Sequence, residues 1–236
     1  MAVARDTSGQ ENSASFPSSP TTFSITIGAN SNRVLFVWQG LSTTGTTGIT
    51  YAGVSMTRIG NYTFSGGMYG SLWYLVAPAT GTNNLVITHG GGDTFTTTYY
   101  SAYGVDQTTP YGTVASDITG INAATSTPSL PCASAVGDLV LGMAVLQYTA
   151  TAWSATGTGS TARWVVGGTG NNSDLPANHT DHDCVTLLLD QTAAASTTDG
   201  GFSWTGSVNG VHVRFAIKAA AGGGGGDGIT LAWIGA

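Results

Sequence analysis

Arg33-Val34-Leu35-Phe36-Val37-Trp38 is the stretch whose reading decides the fold. After the arginine every side chain is apolar, and four of the five are β-branched or aromatic. Six residues are too few for a buried helix, and these types favour a pleated surface. The run therefore reads as a strand covered on both faces. Ser71–Ala77 (SLWYLVA), Leu139–Leu146 (LVLGMAVL) and Val185–Leu189 (VTLLL) read the same way. A second kind of strand alternates. Phe23-Ser24-Ile25-Thr26-Ile27 and Val211-His212-Val213-Arg214-Phe215-Ala216-Ile217 predict strands with one face on a core and one face wet. Tyr51-Ala52-Gly53-Val54 predicts a hairpin, while Pro78-Ala-Thr-Gly81 and Gly90-Gly-Gly-Asp93 predict turns. Nothing carries a capped helical period. The expected fold is all-β: an antiparallel β-sandwich with jelly-roll-like or Greek-key-like connections.

Composition agrees. Of 236 residues, 35 are Gly, 37 Thr and 22 Ser, two fifths of the chain. Charged residues make up 8%, against about 25% in an ordinary soluble domain. There is one lysine (Lys218) and one glutamate (Glu11), so the good helix formers with charged tips are almost absent. An apolar content of 41% with a net charge of −6 argues against disorder. Six basic residues and a pI near 4.7 leave no basic patch, which argues against a nucleic-acid partner. No apolar run reaches the ~18 residues that mark a membrane span. Met1–Gly9 has no apolar core of a secretory signal, so the expectation is synthesis in a host cytoplasm. Cys132 and Cys184 make no disulfide framework and read as buried thiols, their pairing left open.

A weak internal repeat divides the chain. Asn32–Phe36 resembles Gly137–Leu141, Thr57–Gly60 resembles Ala162–Val165, and Ser71–Val76 resembles Val185–Leu189. Leu85–Ile87 and Thr97–Val105 have counterparts in Gly201–Trp204 and Val211–Ile217. The expectation is two pseudo-repeated halves packed as the two sheets of one sandwich. Residues 1–21 are polar and read as an N-terminal arm or a short edge segment, residues 22–218 as the β-sandwich domain. Residues 219–236 form a glycine-rich tether, Gly222–Gly226, ending in Ile229-Thr-Leu231-Ala-Trp233-Ile234. An apolar strand on a flexible tether needs an edge to dock on, its own or a neighbour's. Ile229, Leu231, Trp233 and Ile234 are thus the candidate assembly residues.

Chemistry is sparse. A glycosidase needs two carboxyl groups in defined roles, and the single glutamate sits in the polar N-terminal stretch. No G-x-S-x-G elbow, phosphate-binding loop or dinucleotide fingerprint occurs, so no catalytic residue is assigned and no cofactor is expected. The metal candidate is weak: His179, Asp181 and Asp183 fall on one face of a strand-like segment, with no fourth ligand in sight. Aromatic side chains in polar loops are the other candidates. Trp153, Tyr62 and Tyr69 could stack on a sugar, or fold back onto the core.

Four segments, taken together, carry a resemblance. They are Asn32–Val37, Ile49-Thr-Tyr51-Ala-Gly53-Val54-Ser-Met-Thr57-Arg58, Ser71-Leu-Trp-Tyr-Leu-Val-Ala-Pro78-Ala-Thr-Gly81 and Tyr103-Gly-Val105-Asp106-Gln107-Thr-Thr-Pro110. The chain resembles, over residues 14–218, a β-sandwich domain family found in phage virion structural proteins and bacterial surface proteins. The resemblance implies a structural or adhesive module and no catalytic residues. With the composition and the tethered strand, it gives the expected function: a virion protein on the particle exterior, as head decoration or a tail or fibre component. Its expected partners are its own copies, in a homo-oligomer, and other virion proteins. The alternative is a glycan-binding adhesin or receptor-binding module that meets a host surface glycan. The word Gly104–Pro110 has a local reading too. Asp106 closes a turn with its carboxylate, and Pro110 ends the ladder.

Overall fold

A computed structural model describes residues 2–13, 18–41, 45–64, 68–90, 95–117, 124–126, 129–147, 151–164 and 184–221. Every strand pairing among them is antiparallel and none of them is helical. Among the described residues no helix is long and apolar enough to cross a membrane.

The first half contributes β1 (Ala4–Ser13), β2 (Thr21–Ile27), β3 (Val34–Leu41), β4 (Thr46–Tyr51), β5 (Val54–Ser55), β6 (Thr57–Phe64), β7 (Met68–Val76), β8 (Gly81–His89) and β9 (Phe95–Tyr103). They form a five-stranded sheet in the order β1-β9-β3-β7-β6 and a four-stranded sheet in the order β2-β8-β4-β5. Successive strands mostly switch sheets, and hydrogen-bonded neighbours come from distant parts of the chain. That interleaving is what an antiparallel β-sandwich requires of its connections. β1 is the edge strand of its sheet, so part of the polar N-terminal stretch is ordered by pairing with β9. The β4–β5 hairpin turns through Ala52 and Gly53, both with positive φ, as a tight two-residue turn requires.

The second half repeats the plan. Its strands are β10 (Ala115–Asp117), β11 (Ala124–Ser126), β12 (Cys132–Ala133), β13 (Leu139–Gln147), β14 (Thr151–Thr156), β15 (Ser160–Trp164), β16 (Cys184–Thr192), β17 (Thr197–Thr198), β18 (Gly201–Val208) and β19 (Gly210–Ile217). The five-stranded order is β10-β19-β13-β16-β15, the first half's order with each strand replaced by its counterpart. The smaller sheet is split into β11-β18-β14 and β12-β17. Register fixes the equivalences. Val34 pairs with Val76 and Ala102, while Leu139 pairs with Thr192 and Ile217. β6 and β15 even bulge at matching places, between Arg58 and Gly60 and between Ala162 and Trp164. The sequence repeat therefore needs one correction: Arg163 corresponds to the bulged Ile59, not to Arg58. A larger correction concerns layers. The halves are not the two sheets of one sandwich, because each half builds a pair of sheets of its own.

The result is four layers. The two five-stranded sheets lie inside and face each other, with β9 over β16, β3 over β13 and β16, and β1 over β15. The smaller sheets cover their outer faces. This arrangement explains why Arg33–Trp38 lacks alternation. Val34, Phe36 and Trp38 enter the core between the inner sheets, whereas Leu35 and Val37 enter the core beneath β2, β4 and β8. All five are fully buried, each contributing on the order of 1.5–3 kcal/mol. The shared core uses equivalent faces of both repeats: Phe36, Leu72 and Tyr100 from one, Leu141, Leu188 and Phe215 from the other. A face packed on its own counterpart is self-complementary, as in a two-fold dimer. The chain is built like such a dimer fused end to end.

Candidate functional site

β19 is where the sequence reading fails most instructively. Its alternation predicts a wet face, yet all eight positions are buried. Val211, Val213, Phe215 and Ile217 face the shared core. His212 and Arg214 point the other way, under the second half's smaller sheet, with no exposed surface. Arg214 there acts as a clamp. One terminal nitrogen donates to the carbonyls of Leu130 (3.0 Å), Thr198 (3.2 Å) and Gly200 (3.0 Å), and the other donates to Gln191 Oε1 (2.5 Å). No carboxylate among the described residues pairs with it. Burial pushes its pKa down, opposed by the nearby Cys132 and Asp199. Gln191 in turn donates from Nε2 to the Thr158 carbonyl (2.6 Å). The chain from Arg214 through Gln191 thus ties β16, β19, the β14–β15 turn and residues 198–200 together.

Above this clamp is an open pocket of about 350 Å³. Gly157 and Thr158 form one wall, Ala194, Ala195 and Thr197–Asp199 the other, and Gln191 the floor. The walls cross closely. A Cβ on Gly157, whose φ is +100°, would lie 2.8 Å from the Asp199 carbonyl oxygen and the Gly200 Cα. Only glycine fits that conformation and that approach. Asp199 is exposed on the rim.

His212 sits behind Arg214. Neither ring nitrogen has a hydrogen-bond partner, and the ring meets the edge of Phe202 at 5.4 Å. Burial, aided by the Arg214 charge, pushes its pKa down to about 3. A neutral imidazole sealed from solvent is a packing element here. Cys132 is a free, buried thiol whose pKa burial pushes up, which makes it a poor nucleophile.

A polar joint crosses between the halves. Tyr100 donates to Asp190 Oδ2 at 2.9 Å, and Arg163 Nε donates to the same oxygen at 2.7 Å. Burial and the Asp190 charge push the Tyr100 hydroxyl well above the usual tyrosine range. The residues equivalent to these three are Phe215, Tyr74 and Ile59. There the joint is aromatic: Tyr111 packs edge-on to Tyr74 (5.1 Å), Phe215 (6.0 Å) and Phe36 (6.3 Å).

The sequence candidates fall in separate places. Tyr62 on β6 is half-buried, its ring 5.7 Å from that of Trp38 and packed on the shared core. Tyr69 on β7 pairs with Thr63 on β6, across the same hairpin. Trp153 lies on β14, in a smaller sheet of the other half, and its side chain is outside the described residues. His179, Asp181 and Asp183, and likewise Ile229, Leu231, Trp233 and Ile234, lie outside the described residues. Among the described residues no group of three or more His, Cys, Asp or Glu is placed to hold a metal. The turn read at Asp106 is present: its carboxylate accepts from Thr108 N (2.7 Å) and Thr109 N (3.0 Å). Those bonds hold its pKa below the usual carboxylate range. The pocket itself had no sequence signal beyond Gly157, because its walls are mostly Ala and Thr, ordinary loop residues in this composition.

No protein-family model, curated protein or solved structure matches the chain.

Proposed function

We propose that the chain is a structural module of a bacteriophage particle exterior, a head decoration or a tail or fibre component, that works by protein–protein assembly. The observation that carries this reading is an uncharged sheet edge, with no neighbouring strand among the described residues, beside the point where the C-terminal tail departs. β2 (TTFSITI) is the edge strand of its sheet and carries no charged residue. Natural sheets usually protect such edges with lysine, proline or a bulge, and β2 pairs with β8 in unbroken register from end to end. Gly104 donates to the Ser31 carbonyl, just past β2, and accepts from Ala220. The tail therefore starts next to the end of β2. Broad apolar contact is a weaker explanation, since the large apolar side chains exposed among the described residues are Val54 and Val136, single positions rather than a patch.

In this reading Ile229–Ile234 adds as a strand to β2 of a second copy. Ile229, Leu231 and Trp233 then extend the apolar face that Phe23, Ile25 and Ile27 present. The test is solution mass by light scattering, on the full chain, on the chain lacking residues 222–236 and on Ser24→Lys/Thr26→Lys. Those two side chains are exposed on β2. An oligomer that falls to monomer in both variants supports the reading. An oligomer unchanged by both, or a full chain that is monomeric at every concentration, removes it.

A further inference from the structure

The second half's pocket lies where the two halves differ locally. In the first half the connection after β7 is short, residues 77–80. Arg33 spans it from Nε and Nη2 to the Pro78 carbonyl, at 3.2 and 3.1 Å. Tyr51 donates to the Gly81 carbonyl beside it. The floor position there is Leu75, packed on the apolar core. In the second half the corresponding connection runs over residues 193–200. The arginine that ties this connection is Arg214 on β19, and the floor position is Gln191. The longer loop crosses the β14–β15 turn closely at Gly157, and the cavity lies beside that crossing.

From this geometry we infer that the pocket binds a single neutral sugar ring. A volume of about 350 Å³ lies at the small end of the range for small-molecule sites. The Thr158 and Thr197 hydroxyls and the exposed Asp199 carboxylate offer the mixed donors and acceptors that sugar hydroxyls need. The Ala194 and Ala195 methyls offer an apolar strip for the C–H face of the ring. The described lining residues include no aromatic side chain, so the ring would rest on the alanine strip. An anion is disfavoured, because the Arg214 charge is buried and held by backbone carbonyls while Asp199 occupies the rim. The clamp fixes the floor, so little ordering is required on binding. This inference is independent of the assembly reading, since the pocket lies in the second half and the β2 edge in the first.

The experiment uses the full-length chain labelled with ¹⁵N. D-glucose, D-galactose, D-mannose and N-acetyl-D-glucosamine are titrated one at a time, and amide shifts are followed together with saturation transfer to the sugar. The expected result is a saturable shift, with at least one of the four, centred on Thr158, Gln191, Thr197 and Asp199. Asp199→Ala, at an exposed position, should weaken that binding about ten-fold or more, the size expected for losing a hydrogen bond to a charged acceptor. Ala195→Phe, which fills the mouth, should abolish it. If none of the four sugars shifts these amides, or if the shifts survive both substitutions, the inference is wrong.

Discussion

Beneath β2 and β8 the first half packs Ile25, Ile27, Leu85 and Ile87 on Leu35, Val37 and Trp73. At the same depth the second half buries Leu187, Leu189 and Phe202 and a small cluster of Cys132, Val140, Ala193 and Ala216, together with a fully buried arginine and histidine. Strand order, bulge position and the face turned to the partner repeat are shared, so the scaffold does not require those polar groups. Arg214 stands where the first half has Tyr99, and His212 where it has Thr97. The comparison separates two jobs. The shared inner core defines the double sandwich; the polar interior of the second half shapes the loops around its pocket.

The comparison breaks most easily at Arg214. Arg214→Met removes the donor for three backbone carbonyls and for Gln191, leaving buried acceptors that each cost about 1–3 kcal/mol. The expected loss is at least ~3 kcal/mol, read from the shift in urea midpoint, with the pocket walls disordered in the amide spectrum. A loss under ~1 kcal/mol would show that the clamp is not what holds the second half's loops.

The next effect is a pH dependence. His212 has its folded pKa lowered to about 3, against ~6.5 in an unfolded chain. Below the unfolded value the unfolded state binds the extra proton, so stability falls as the pH drops. His212 thus contributes stability that is present above pH ~6.5 and is lost progressively toward pH ~3, at no more than about 1.4 kcal/mol per pH unit. The facing groups are Arg214, which adds to the shift, and the apolar edge of Phe202. His212→Leu should flatten the stability profile across that window. An unchanged slope would place the acid sensitivity elsewhere.

The smallest effect sharpens the contrast between the two arginines. Arg33 is half-exposed; it bonds the Pro78 carbonyl on the short loop and the Asn30 carbonyl beside its own strand. Arg33→Ala should cost about 1 kcal/mol, with no change beyond the neighbouring turn. A cost equal to that of Arg214→Met would erase the distinction between a surface tie and a buried clamp.

Much of the fold was legible in the sequence. Runs such as Val34–Trp38 and Leu139–Leu146 have no wet face to display, and the tight turn at Ala52-Gly53 and the Asp106 turn follow from local chemistry. The layers were less legible. A strand covered on both faces says that something lies on each side, not what. That left the two halves reading as two sheets when each is a sandwich. β19 misled for a different reason: alternation marks side-chain direction, and His212 and Arg214 point into a covered face whose cover lies far off in sequence. The arginine match failed by one residue because the chain between the equivalent strands is one residue shorter in the second half, a deletion that repetitive Thr/Gly loops do not reveal. Of the candidate site, the clamp depends on carbonyls, which every residue carries, so no pattern could name Leu130, Thr198 and Gly200 as its acceptors.

Segment-resolved amide hydrogen exchange at neutral pH and again near pH 4 tests the account of two like scaffolds with unlike interiors most directly. The account predicts that the inner strands β3, β9, β13 and β16 are the most protected at both pH values, as one cooperative unit. On acidification β18 should lose protection first, while β2, β4 and β8 hold. Equal loss in the two halves, or earlier loss in the first, would contradict it.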